Sequence, residues 1–248
     1  MRSVVELACT WDRAFRMRVA GAPQSAITEL AHVAEVELPD DYVDFLSTMG
    51  RSTGGLGSAD WQIDRVIRRH DELAYSHPVL RASAQRYLFV GFHDTEDGTF
   101  EDVHLDLKSS PAMVFESSSV TDLAYNCQPN GWYTAASLEE YWVAEAYHQL
   151  RLSRFSHTVG LCPLGSQGWS HDHPSHASHL ESVAARLGFE PLTAEQLVAR
   201  CFDRDDAGIV AHQPPGRAPA YYLGATTEYA LHELLRVLCG ELVLKPQQ

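Results

Sequence analysis

His171, His173, His176 and His179 place four imidazoles within nine residues, the one grouping in this sequence with the composition of a zinc or nickel site. They lie in SHDHPSHASH, among Pro and Ser, and a segment of that kind holds ligands poorly because metal sites need rigid supports behind each ligand. The favoured reading is a solvated His-rich linker with no metal and no cofactor, against the competing one of a metal-dependent enzyme built on these histidines. A second grouping is acidic: Asp94, Glu96, Asp97, Glu101, Asp102 and Asp106, with no Lys or Arg before Lys108. Its spacing does not match the twelve-residue calcium loop. A hairpin tip kept soluble by charge accounts for it, and the exposure of such a tip makes Asp94, Glu96, Asp97, Glu101 and Asp102 candidate docking residues for a cationic partner. Gly54, Gly55 and Gly57 follow a helical pattern and lack the Lys-Ser/Thr of a phosphate loop, so they read as a turn. His232-Glu233 lacks the second His of a zinc-protease helix, and no Gly-x-Ser-x-Gly occurs. The chain is therefore read as a non-enzyme.

Charge narrows the partners. Asp and Glu number 33 against 19 Lys and Arg in 248 residues, a net charge of -14, which repels a polyanion such as nucleic acid and draws in a basic protein. Cys9, Cys127, Cys162, Cys201 and Cys239 are scattered without a Cys-x-x-Cys pair, which suits free thiols in a reducing compartment. Glu6, Asp12 and Arg13 interrupt the apolar spacing at the N-terminus, and no run reaches the ~18 apolar residues of a spanning helix, so a cytoplasmic location without membrane contact is expected.

The elements that must position these groups begin at Ile27 to Gly57. Ile27, Leu30, Val33 and Ala34 share one helical face, Pro39 breaks the helix, and Asp40 is placed to cap a second one carrying Tyr42, Phe45, Leu46 and Met49. Gly50 is expected to stop that helix in a left-handed conformation. Trp61 and Ile63 read as a short strand and 64–75 as a charged surface helix. Strands are expected at Tyr87 to Phe92, around Val103 to Leu107 with one wet face, and at Met113 to Phe115. Ser137-Leu138-Glu139-Glu140 forms a capping box ahead of an aromatic helix that ends near Leu152.

Leu38, Pro39, Asp41, Tyr42, Phe45, Leu46 and Gly50, followed by strands and the closing aromatic helix, resemble the SMI1/KNR4, or SUKH, family over Ile27 to Leu152. The resemblance implies an α+β fold with a mostly antiparallel sheet flanked by helices. It also implies an immunity protein that neutralises a secreted bacterial toxin, often a nuclease, by occluding its active or substrate site. A non-catalytic regulatory scaffold is the alternative within the family. The expected organisation is a SUKH-like domain over 1–152, a His/Gly/Ser-rich connection over 153–178 and a C-terminal α/β extension over 179–248. In that extension Ser178-x-x-Glu181 and Thr193-x-x-Gln196 each read as a helix start, the second helix running through Cys201. A small hairpin (Gly208 to Ala211, Ala220 to Ala225) and a last helix from Thr227 complete it.

Overall fold

The computed structural model describes residues 1–76, 86–94, 100–117, 131–163, 175–193, 197–215 and 218–246, with the backbone alone at 73–76, 94, 100–101 and 175–177. The chain divides into two compact α+β units, Met1–Val143 and Ala144–Gln248.

Unit 1 opens with α1 (Arg2–Trp11), whose Val4, Val5 and Ala8 are buried at helical spacing. A two-stranded ribbon, β1 (Val19–Ala20) with β2 (Ser52–Thr53), brackets α2 (Gln24–Ala34) and α3 (Asp40–Met49). The corner between these helices forms as the sequence predicts, with two corrections. Pro39, not Asp40, is the N-cap of α3; Asp40 and Asp41 instead lie in the first turn, where carboxylates complement the helix dipole. Gly50 has φ -66, so it supplies no left-handed stop. It is needed for space: a Cβ there would stand 2.6 Å from the Leu46 carbonyl oxygen. Left-handed geometry falls instead at Glu35, ending α2, and at Gly54, Gly55 and Gly57.

Trp61 is not in a strand. Asp60 makes a single bridge to Phe92, and Ile63 already begins α4 (Ile63–Ser76), which buries Ile63, Val66 and Ile67. Four strands then follow in sheet order, β3 (Tyr87–Asp94), β4 (Phe100–Asp106), β5 (Met113–Ser117) and β6 (Gly131–Ala135), all antiparallel. Residue Val90 sits in a bulge between Phe89 and Gly91. Helix α5 (Leu138–Leu150) closes the unit, and its capping box is made: the Glu140 amide donates to Ser137 Oγ and the Ala136 amide to Glu140 Oε2. An aromatic cluster joins the corner to this helix. Phe45 stacks on Trp142 at 5.1 Å and meets Trp61 edge-on at 5.5 Å. Gly57 lies so close that a Cβ would reach 3.3 Å from Trp142, which is the reason for at least one glycine of that loop.

Unit 2 begins within α5. Segment 153–178, expected to be a connection, carries β7 (His157–Pro163), which pairs with both β11 and β12, and the start of α6 (Ser175–Arg186). Ser178 is therefore inside a helix rather than at its start. The helix expected through Cys201 is replaced there by β9 (Ala199–Arg204), next to β8 (Glu190–Pro191). Strand β10 (Ala207–His212), β11 (Ala220–Ala225), helix α7 (Glu228–Leu242) and β12 (Leu244–Pro246) follow. The sheet order is β12-β7-β11-β10-β9-β8, antiparallel throughout. Its core joins Leu161, Leu180, Val183, Phe202, Ile209, Leu223, Leu234 and Leu238, so residues 179–248 fold around their own apolar centre together with β7. Tyr147, Leu152 and Phe155 lie on two glycines that face each other across the strands, Gly208 and Gly224.

Candidate functional site

The acidic stretch divides. Glu96 and Asp97 lie outside the described residues; in the backbone register Asp94 of β3 pairs with Phe100 and Glu101 of β4 pairs with His93. Asp102 cannot present its carboxylate for docking, because it is 1 % exposed, between Phe92 on one neighbouring strand and Ser117 on the other. The face expected to be wet is buried as well. Strand alternation puts Asp102, His104 and Asp106 on one side of β4, at 1, 2 and 3 % exposure, while Val103 and Leu105 fill the core side.

Two neighbours make that burial tolerable. Asp106 accepts from Arg86 Nε and Nη2 at 3.2 and 3.0 Å, from Tyr133 Oη at 2.7 Å and from the Lys108 amide at 3.1 Å. Burial alone would raise its pKa, but these donors hold it below the usual carboxylate range. Tyr133 is pushed up to about 12 by burial and by the same carboxylate. His104 lies edge-on to Phe89 at 5.8 Å, and Phe89 edge-on to His70 of α4 at 5.4 Å; His70 Nε2 is 3.0 Å from the Phe89 carbonyl oxygen, beside the bulge. Burial, with the nearby His70, lowers the His104 pKa to about 3, so at neutral pH its imidazole carries no charge. His104 Nδ1 and Ser117 Oγ are buried without a hydrogen-bond partner. This face is a polar layer in which Asp102, His104, Asp106 and Ser117 are buried, with Arg86 and Tyr133 at its partly exposed edge.

Open chemistry sits on the outer side of α4. Arg65, Arg68, Arg69 and Glu72 recur at three- and four-residue spacing and, with Phe92 of β3, line a cleft of about 180 Å³. Arg65 pairs with Asp60 and lies over the Phe92 ring at 5.0 Å, and Arg69 reaches Glu72 at 3.4 Å. Arg68 is exposed and makes no hydrogen bond or ion pair with a described residue. Sequence reading took α4 as a charged surface helix and missed the cleft; three arginines within five residues of an acidic chain were its signal.

Of the metal candidates, His171 and His173 lie outside the described residues, and the His176 side chain is likewise not described. His179 is on α6 with its Nε2 3.8 Å from Glu241. Among the described residues no three His, Cys, Asp or Glu side chains stand together as a metal site, and no helix is long and apolar enough to cross a membrane. The family-motif positions form one body: Leu38, Tyr42, Phe45 and Leu46 are buried, and Asp41 is half-buried, its carboxylate accepting from the Tyr42 amide. Burial raises the Asp41 pKa. No family model, curated protein or solved structure matches the chain.

Proposed function

We propose that the chain is a non-catalytic binding protein of the SUKH immunity type, acting in the cytoplasm by occluding a cognate protein toxin. The observation that carries the reading is the packing of Phe45, from the Leu-Pro-x-Asp-Tyr corner, against Trp142, from the closing helix, with a four-stranded antiparallel meander between them in sequence. A mostly antiparallel sheet flanked by helices is what the family resemblance implies, and it supports function only through the resemblance, since a fold can host many activities. The net charge of -14 adds a preference for a basic partner, a nuclease among them, through faster encounter at low salt.

The test is co-expression with the product of the adjacent upstream gene. Rescue of growth and recovery of a salt-sensitive 1:1 complex are expected. A neighbour that is harmless when expressed alone, or that kills equally with and without this chain, would overturn the immunity reading. Charge reversal at Asp102 is unsuited to mapping the docking surface, because its burial makes that substitution a folding defect.

A further inference from the structure

We propose that the α4 cleft is a docking point for an acidic segment of a protein partner, with one carboxylate seated by Arg68 beside Arg69. The inference deepens the binding reading above and rests on it. Its basis is the lining itself. Arg65, Arg68 and Arg69 present guanidinium groups along one face of a helix whose opposite face is fixed in the core by Ile63, Val66 and Ile67. Two of the three are already oriented, Arg65 by Asp60 and the Phe92 ring, Arg69 by Glu72. Arg68 remains exposed without a described partner. A guanidinium fork matches a carboxylate in two parallel hydrogen bonds.

The chain's overall charge opposes a polyanion, so a peptide carboxylate suits the cleft better than a nucleic-acid backbone. Such a contact sets register more than strength. A basic partner drawn in by the acidic surface would be oriented by a cleft that asks for the opposite sign.

Fluorescence anisotropy of a labelled hexaglutamate peptide against the full chain at low ionic strength tests this. Saturable binding is expected, weakened about tenfold or more by Arg68→Glu and less by Arg68→Gln, and unchanged by Arg13→Glu at another exposed arginine. Arg68→Glu should keep the wild-type thermal melt, because the side chain makes no described contact. No saturable binding, equal loss in Arg13→Glu, or displacement of the peptide by inorganic phosphate at the same concentration as by free glutamate would each overturn the proposal. None of these results depends on the upstream gene product, so the cleft and the immunity reading can fail separately.

Discussion

In unit 1, β3 to β6 follow one another across the sheet and lead through Ser137 into α5; in unit 2, β8 to β11 do the same and lead through Thr227 into α7. A helix precedes each meander, α4 in unit 1 and α6 in unit 2. The plan is shared and the filling is not. Unit 1 buries Asp102, His104, Asp106 and Ser117 on one side of its sheet, whereas unit 2 fills its strands with Ile209, Ala211 and Leu223 and sets Gly208 against Gly224. Buried polar groups cost stability unless each is bonded, so among the described residues unit 1 carries the larger liability. The open cationic cleft also belongs to unit 1. Function is therefore to be sought there first, with unit 2 serving as the internal control for stability.

The largest expected effect breaks unit 1 at its aromatic joint. Trp142→Ala removes a side chain that is fully buried against Phe45 and Trp61, and should destabilise unit 1 by ~3–5 kcal/mol. Hydrogen exchange read on peptides from β3 to β6 checks it, and a loss below ~1 kcal/mol would mean the corner and the closing helix are not one body. The counterpart in unit 2 is Gly208→Ala. Its Cβ would stand 2.2 Å from Tyr147 Oη and 3.1 Å from both Leu152 Cδ1 and Phe155 Cε2, so the pad under those side chains must shift at ~1–3 kcal/mol. Exchange in β10 and β11 should rise; an unchanged rate would show that the contact yields easily.

Acid should separate the units next. The folded pKa of His104 lies near 3, below the ~6.5 of an unfolded histidine, so between those values the unfolded chain binds the extra proton. Stability is then fully present above about pH 6.5 and falls as pH drops toward 3, by up to ~1.4 kcal/mol per pH unit. Asp106, also lowered, adds to the loss below the unfolded carboxylate value of ~3.9. In unit 2, burial also lowers the His148 pKa, and the distinctive group is Tyr147: burial and its contact with Asp203 raise its pKa, giving stability present at neutral pH and lost on the alkaline side. Exchange of β4 amides at pH 4.5 should accelerate more than that of β10 amides, and His104→Phe should narrow the gap. Equal acceleration in both sheets would remove this distinction.

Much of the scaffold was legible because it is local. The α2–α3 corner, the Ser137 box, the β10–β11 hairpin and the Thr227 start depend on residues within a few positions of each other, and each occurs where the sequence placed it. What was hidden depends on distant partners. Alternation at Val103 and Leu105 predicts a wet opposite face, and Arg86 and Tyr133, far along the chain, supply the side-chain donors that make Asp106 a buried acceptor. In β7 the alternation of Val159 and Leu161 is masked by Gly160 and Cys162, and its pairing partners lie about sixty and eighty residues later. Around Ala199 to Arg204, pairing with β10 overrides a helix-like pattern. The cleft was equally non-local, because Phe92 reaches it from the sheet.

The smallest effect sharpens the shared plan itself. Ser137 and Thr227 hold the same place, each accepting at 3.1 Å from an amide three residues on. If the capping bond alone mattered, Ser137→Ala and Thr227→Ala would cost the same, ~1 kcal/mol. They differ in what answers them. Glu140 is 5 % exposed and accepts the Ala136 amide in return, while the helix from Thr227 has Ala230 at that place, with no carboxylate to reciprocate. Removing the Ser137 hydroxyl therefore also loosens a buried carboxylate, and Ser137→Ala should cost about twice as much as Thr227→Ala. The double substitution Ser137→Ala with Glu140→Ala isolates the difference in a denaturant series: a coupling near zero would reduce the box to a single bond and leave the two helix starts equivalent.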